Sequence, residues 1–319
     1  MNQTKPDYEK LIERFITWAE AAPEIRGAIM IGSRTRADQP ADEWADLDIL
    51  VITTRPDLLL SQNEWLHRIG DPRIFFRENA AFGSDQERRV LFAGGLDVDF
   101  AIIPKKSIAQ LIFLFQLSGK PFPAWLIPRK MQQVSQSYRP QVVSMFKRGF
   151  RILVDKDGLA QKAVQISITQ EMPLPKPPAE PEFLNTIHSF WYDAVWTAKH
   201  LRRGELWWAK SCLDFKMKWH GFLQMAEWHA RAIHGPGYDT WHRGRFLEQW
   251  ADPRAIAGLK EAFAHYDPED AWRGLEATTN LFQWMARETA GRLGYEYPAS
   301  VEDEAVELLK KLAPKEWPG

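Results

Sequence analysis

Apolar residues recur at three- and four-residue steps through Leu11, Phe15, Trp18, Ala19 and Ala22, the spacing of one helix face, and the pattern stops near Pro23. The period then changes. Ile25–Ile31 is an apolar run broken at Gly32, and residues 49–54 form a β-branched run ended by Arg55-Pro56. Both predict short strands buried on both faces. Residues 97–103 alternate Asp97, Val98 and Asp99, continue as Phe100-Ala101-Ile102-Ile103, and predict a third strand that stops at Pro104. Leu91-Phe92 ahead of Gly94-Gly95 supplies a hairpin partner for it. A helical stripe of Ile108, Leu111, Ile112 and Phe115 follows, and Leu153-Val154 opens a last short strand that turns at Asp155-Lys156-Asp157-Gly158.

Five prolines (Pro173, Pro175, Pro177, Pro178 and Pro181) fall within residues 171–182, a segment that favours extended polyproline geometry and suits a spacer. Beyond it no strand pattern appears. Phe183, Leu184, Ile187, Phe190, Trp191, Ala194, Val195 and Ala198 form a wide apolar helix face. Further helices are expected at about residues 206–233, 245–250, 253–266, 270–292 and 301–312, with Ser300 and Asp303 as a capping pair for the last. The expected fold class is α+β. A domain with a mixed β-sheet flanked by helices spans residues 1–170, residues 171–182 link it onward, and residues 183–319 form an α-helical bundle.

The chain has 319 residues and a formal charge of −1, so no global positive field draws it to nucleic acid. Cys212 is the single cysteine, which excludes an intrachain disulfide and a cysteine-based zinc site and suits a reducing, cytoplasmic setting. The first residues carry Asp7, Glu9 and Glu13 rather than the apolar core of a signal peptide. The most apolar stretch, residues 108–117, contains Gln110 and Gln116 and is about half the ~20 residues needed to cross a bilayer.

Asp46 and Asp48 stand two apart where a strand begins, so strand alternation points both carboxylates to one face, roughly 7 Å apart along the chain. Hard divalent cations need converging carboxylate oxygens, and Asp99, just before its apolar run, is the third acid, with Asp97 as a neighbour on the same face. Gly32-Ser33 ends the preceding strand, where backbone N–H groups and the serine hydroxyl can meet a phosphate, and Arg34 adds a charged donor.

Gly32-Ser33-Arg34, eleven further residues, then Asp46-Leu47-Asp48-Ile49 resemble the signature of the DNA polymerase β-like nucleotidyltransferases. Within them the chain resembles the aminoglycoside 6-adenylyltransferases, also called streptomycin adenylyltransferases. The segments that carry this resemblance include Trp44-Ala45-Asp46-Leu47-Asp48-Ile49, Asp99-Phe100-Ala101-Ile102-Ile103-Pro104 and Val154-Asp155-Lys156-Asp157-Gly158. Phe190-Trp191, Ala198-Lys199, Leu223-Gln224-Met225-Ala226-Glu227-Trp228 and Gly244-Arg245-Phe246-Leu247-Glu248 extend it into the helical half.

The resemblance implies transfer of AMP from ATP to a hydroxyl of an aminoglycoside such as streptomycin, with release of pyrophosphate. It implies two Mg2+ ions held by Asp46, Asp48 and Asp99, with Asp99 also the base. Gly32, Ser33, Arg34 and Lys199 would contact ATP. Trp191, Asp193 and Glu227 are the expected contacts of the cationic acceptor, since guanidinium and ammonium groups need carboxylates. The alternatives are a nucleotidyltransferase for another small hydroxyl compound or a protein, and a non-catalytic binding protein of this fold. Lys216, His220 and Glu227 share a stripe at α-helical spacing. His229, His234 and His242 are expected at the surface or in caps, and Arg88-Arg89 and Lys105-Lys106 as solvated charge pairs. Eleven of the fifteen tryptophans follow Glu182, and large aromatics in a bundle are chiefly core.

Overall fold

The structure is a computed structural model and describes residues 7–79, 86–117, 129–171 and 174–314. The chain forms two compact units, Met1–Pro173 and Leu174–Gly319.

The first unit runs α1 (Tyr8–Ala21), β1 (Ile25–Ile31), β2 (Leu47–Thr53), α2 (Pro56–Ser61), α3 (Glu64–Ile69), β3 (Pro72–Asn79), β4 (Gln86–Phe92), β5 (Leu96–Pro104), α4 (Lys105–Leu117), α5 (Arg129–Arg148), β6 (Arg151–Asp155) and α6 (Leu159–Ile168). Its strands form one six-stranded sheet in the order β3-β4-β5-β2-β1-β6. Only β2 and β5 pair in parallel; the other pairs are antiparallel. The sheet is therefore mixed, as expected.

Continuous apolar runs in β1 and β2 follow from cover on both faces. Leu11, Ile12 and Phe15 of α1 join Trp65 and Leu66 of α3 against Ile49, Val51, Val98 and Phe100. On the other face Ile29, Ile31, Leu50 and Ile52 meet Ile108, Ile112, Phe146, Ala160, Ala163 and Val164 from α4, α5 and α6. Phe100 sits between aromatic rings, 5.6 Å from Phe15 and 5.0 Å from Trp65. The helices α2 and α3 have six residues each, too few to print a helical period on the sequence. Strand β3 is exposed along almost its whole length, so no buried face marks it.

In the second unit α7 (Glu180–Arg202) begins with Glu180-Pro181-Glu182 as its first turn. The last three residues of the expected linker are thus helical, because proline at a helix start needs no N–H partner. Then α8 (Leu206–Lys210) runs through a π-helical segment, Ser211–Phe222, into α9 (Leu223–His234). Short α10 (Leu247–Trp250), α11 (Pro253–Ala262), α12 (Pro268–Leu293) and α13 (Ala299–Leu312) complete the described helices. Asp252 and Asp267 cap α11 and α12, and left-handed Gly294 ends α12. The expected Ser300–Asp303 cap is not made: α13 starts at Ala299 without a side-chain cap. Among the described residues no helix is long and apolar enough to cross a membrane.

Phe100→Ala removes a fully buried ring from the first core, and we expect a loss of about 3–5 kcal/mol in urea unfolding. A loss below about 1 kcal/mol would contradict this packing.

Candidate active site

The register of the sheet builds the site. Asp48 on β2 lies opposite Ile31 on β1 and Asp99 on β5, and Asp99 lies opposite Arg89 on β4. Residues opposite each other across strands point to the same face, so Asp48, Asp99 and Arg89 form one row. Asp46 precedes β2 by one residue. A carboxylate oxygen from each of Asp46, Asp48 and Asp99 lies within 4.8 Å of the others.

Gly32 closes the site from the β1 side. Its φ is +80°, and a Cβ there would stand 2.0 Å from Oδ2 of Asp48. Glycine is required twice over, for the backbone angle and for the close approach. The next residues form one tight turn, in which Thr35 N–H donates to Gly32 O and Arg36 N–H to Ser33 O. The Ser33 hydroxyl is buried with no hydrogen-bond partner among the described residues, and so is Oδ1 of Asp99. Buried polar atoms are usually hydrogen-bonded, so both are open to a partner from outside the chain. An all-oxygen donor set beside a serine-bearing turn fits a hard divalent cation and a phosphate.

Crowding of acids in a half-buried place sets their protonation. Burial pushes the Asp99 carboxyl up to about 6, Arg89 opposes this, and Asp97 and Asp46 add to it. Asp97 is also raised, by burial first and then by Asp46.

Arg34 is held by the protein itself. Its guanidinium lies 3.4 Å from the centre of the Tyr8 ring and donates to the carbonyls of Ala45 and, at 3.1 Å, Asp46. The Tyr8 hydroxyl in turn accepts from Asp97 N–H at 3.1 Å. Arg34 thus fixes the loop that carries Asp46.

Arg88 and Arg89 are not the solvated pair their sequence suggests. Arg88 is buried and donates to Leu60 O at 2.8 Å and to Asn63. Arg89 faces the acids, with Nη2 3.2 Å from Oδ2 of Asp99. Alternation along β4 separates the two neighbours, a signal readable only once β4 is known to be a strand. Lys105 pairs with Asp157 at 2.8 Å.

The residues expected in the helical unit divide. Trp191 is 2% exposed, its indole nitrogen 3.5 Å from the Tyr297 hydroxyl, so it is core and offers no ring to an acceptor. Asp193 is buried and ion-paired with Lys216 at 2.6 Å, an internal pair rather than an open carboxylate. Lys199 is exposed, and Glu227 is part-buried, 3.7 Å from Arg231, with its carboxyl raised by burial. The π-helical segment interrupts the α-helical stripe of Lys216, His220 and Glu227. His229 is buried against Glu288 at 3.1 Å instead of lying at the surface.

A family model described as streptomycin adenylyltransferase matches residues 6–312. The chain belongs to the streptomycin adenylyltransferase family. It is 21% identical over 290 residues to an aminoglycoside 6-adenylyltransferase of Bacillus subtilis (strain 168), covering 91% of this chain and 92% of that one. To an aminoglycoside 6-adenylyltransferase of Campylobacter jejuni it is 20% identical over 289 residues, covering 89% and 88%. A crystal structure of an aminoglycoside 6-adenyltransferase from Bacillus subtilis aligns over 96% of this chain and 98% of its own, at 16% identity and a TM-score of 0.42. Membership makes this streptomycin adenylyltransferase family chain a nucleotidyltransferase, and the family implies a divalent metal and a nucleotide.

Two measurements test this site in the family member. Gly32→Ala forces its methyl onto Asp48, so Mn2+ binding by calorimetry is expected to be lost while far-UV circular dichroism is retained. Unchanged affinity would show that the turn does not lie over Asp48. Because the Asp99 carboxyl titrates near 6, a proton competes with the cation below that value. Mn2+ affinity of the nucleotide-free protein should weaken up to about tenfold per pH unit as pH falls below about 6. A flat profile from pH 7 to pH 5 would remove Asp99 from the metal site.

Proposed function

We propose that the chain transfers AMP from ATP, with Mg2+, to a hydroxyl of a small cationic aminoglycoside such as streptomycin at its 6 position, releasing pyrophosphate and giving resistance. The observation that carries the reading is the convergence of Asp46, Asp48 and Asp99 under the Gly32-Ser33 turn, in a chain of this family. The names of the two curated relatives support the aminoglycoside.

Asp46 and Asp48 would hold the divalent cation, with Asp99 completing the cage. When bound, the metal neutralises charge developing on the transferring phosphoryl group and the leaving pyrophosphate. The acceptor oxygen attacks the α-phosphorus, the bond to the β-phosphate oxygen breaks, and the acceptor proton passes to Asp99. The buried Ser33 hydroxyl and the turn around it receive the triphosphate, which no Cβ at residue 32 obstructs. Arg34 braces the Asp46 loop. Lys199 for the nucleotide and Glu227 for the acceptor rest on the resemblance and on solvent access alone.

Purified protein with ATP and streptomycin should release pyrophosphate only when Mg2+ is present. Asp99→Asn should lower the rate about 10²–10⁴-fold with the fold intact. Near-normal turnover by that variant, or no release across an aminoglycoside panel despite measurable ATP binding, would sink the assignment.

A further inference from the structure

Arg89 stands beside the acid cluster, and the reaction above leaves its placement unused. It stands directly opposite Asp99 across the β4–β5 pair. Its Nη2 is 3.2 Å from Asp99 Oδ2, its Nε is 2.8 Å from Glu78 Oε2, and its Nη2 is 3.9 Å from Glu87 Oε2. The Arg89 side chain is 42% exposed and that of Asp99 12% exposed. Asp99 therefore divides its two oxygens. Oδ2 meets Arg89, while Oδ1 is buried with no hydrogen-bond partner among the described residues.

We propose that Arg89 is a positioning residue and internal counter-cation: it fixes the Asp99 carboxylate by Oδ2, leaves Oδ1 to the cage, and contends with the divalent cation for that same side chain. This rests on the reading of Asp46, Asp48 and Asp99 as the metal site. Two effects of opposite sign follow. A guanidinium beside Asp99 repels an incoming cation, so it lowers the metal affinity of the nucleotide-free protein. The same contact locks the carboxylate in one orientation, so it raises the rate of a step that needs Asp99 in place. Glu78, on the exposed edge strand β3, stands 2.8 Å from Nε on the other side of the guanidinium and shares its charge with Asp99.

A residue that merely supports the fold would lose both properties together when removed. Mn2+ is titrated calorimetrically into the nucleotide-free protein, and AMP transfer is followed separately with ATP, Mg2+ and streptomycin. Arg89→Met should bind Mn2+ at least about threefold more tightly, because a nearby cation is gone. Its kcat should fall about tenfold or more with the KM for ATP within about threefold of wild type, because orientation and not nucleotide binding is lost. Arg89→Lys keeps the charge, so Mn2+ affinity should stay within about twofold of wild type and kcat should recover in part.

Glu78→Gln, at an exposed position, removes the acid that shares the Arg89 charge with Asp99 and should weaken Mn2+ binding. It also serves if Arg89→Met fails to fold. Weaker or unchanged Mn2+ binding in folded Arg89→Met, or unchanged binding in Glu78→Gln, overturns the proposal, as does an unaltered kcat in Arg89→Met. If wild type turns over no aminoglycoside, the functional reading fails by itself, and the Mn2+ comparison still decides the role of Arg89.

Discussion

A carbon atom at the Cβ position of residue 32 would stand 2.0 Å from the Asp48 carboxylate, and the site is organised around that lack of room. Strand β1 must end in a residue that tolerates a positive φ and carries no side chain, because the chain turns back directly over the carboxylate. The Gly32-Ser33 turn and the Asp48 carboxylate, to which the proposed reaction assigns the phosphate and the metal, are thereby held in contact. No flexible loop intervenes between them. A side chain on a neighbouring strand is fixed to within the tolerance that phosphoryl transfer needs, whereas the same groups on mobile loops would have to find each other.

The second constraint is the register of the one parallel pair. β2 and β5 align Asp48 with Asp99, and a slip of one residue would turn Asp99 to the opposite face, into the packing of Phe15, Trp65 and Phe100. Below the acids on their own face, Leu50, Ile52, Ala101 and Ile103 join the layer covered by α4, α5 and α6. That apolar floor keeps water away from Asp99 and raises its proton affinity. Repulsion among Asp46, Asp97 and Asp99 adds to the same effect. Such crowding costs stability, a cost that a cation bound among the carboxylates would relieve.

The parts of this site that the sequence disclosed are those set by local rules. Period-two alternation marks Asp46 and Asp48, an apolar run marks the depth of Asp99, and a glycine at a strand end marks the turn. The parts it concealed depend on what packs against what. Arg88 and Arg89 look alike as neighbours, yet one inserts under α2 and α3 and the other faces Asp99. Trp191 and Asp193 lie on a helix buried on more than one side, so a tryptophan expected to contact the acceptor is core and a carboxylate expected to do so is paired. Lys216 meets Asp193 from within the π-helical segment, whose wider turn shifts side chains off the α-helical stripe.

Arg34 shows how a three-residue signature divides its labour. Glycine makes room, serine turns in a hydroxyl with no hydrogen-bond partner among the described residues, and arginine turns backward to stack on Tyr8 and hold the carbonyls of Ala45 and Asp46. Tyr8, the first residue of α1, also accepts from the backbone of Asp97 on β5. One aromatic side chain therefore ties the loop before β2 to the strand that carries Asp99. The acids repel one another, and a brace at this point is what that repulsion demands: with Asp46 on a loop and Asp99 on a strand, the loop would otherwise be the part to yield. Positive charge stacked on a ring next to the acids, and donated to the carbonyls of Ala45 and Asp46, steadies the loop.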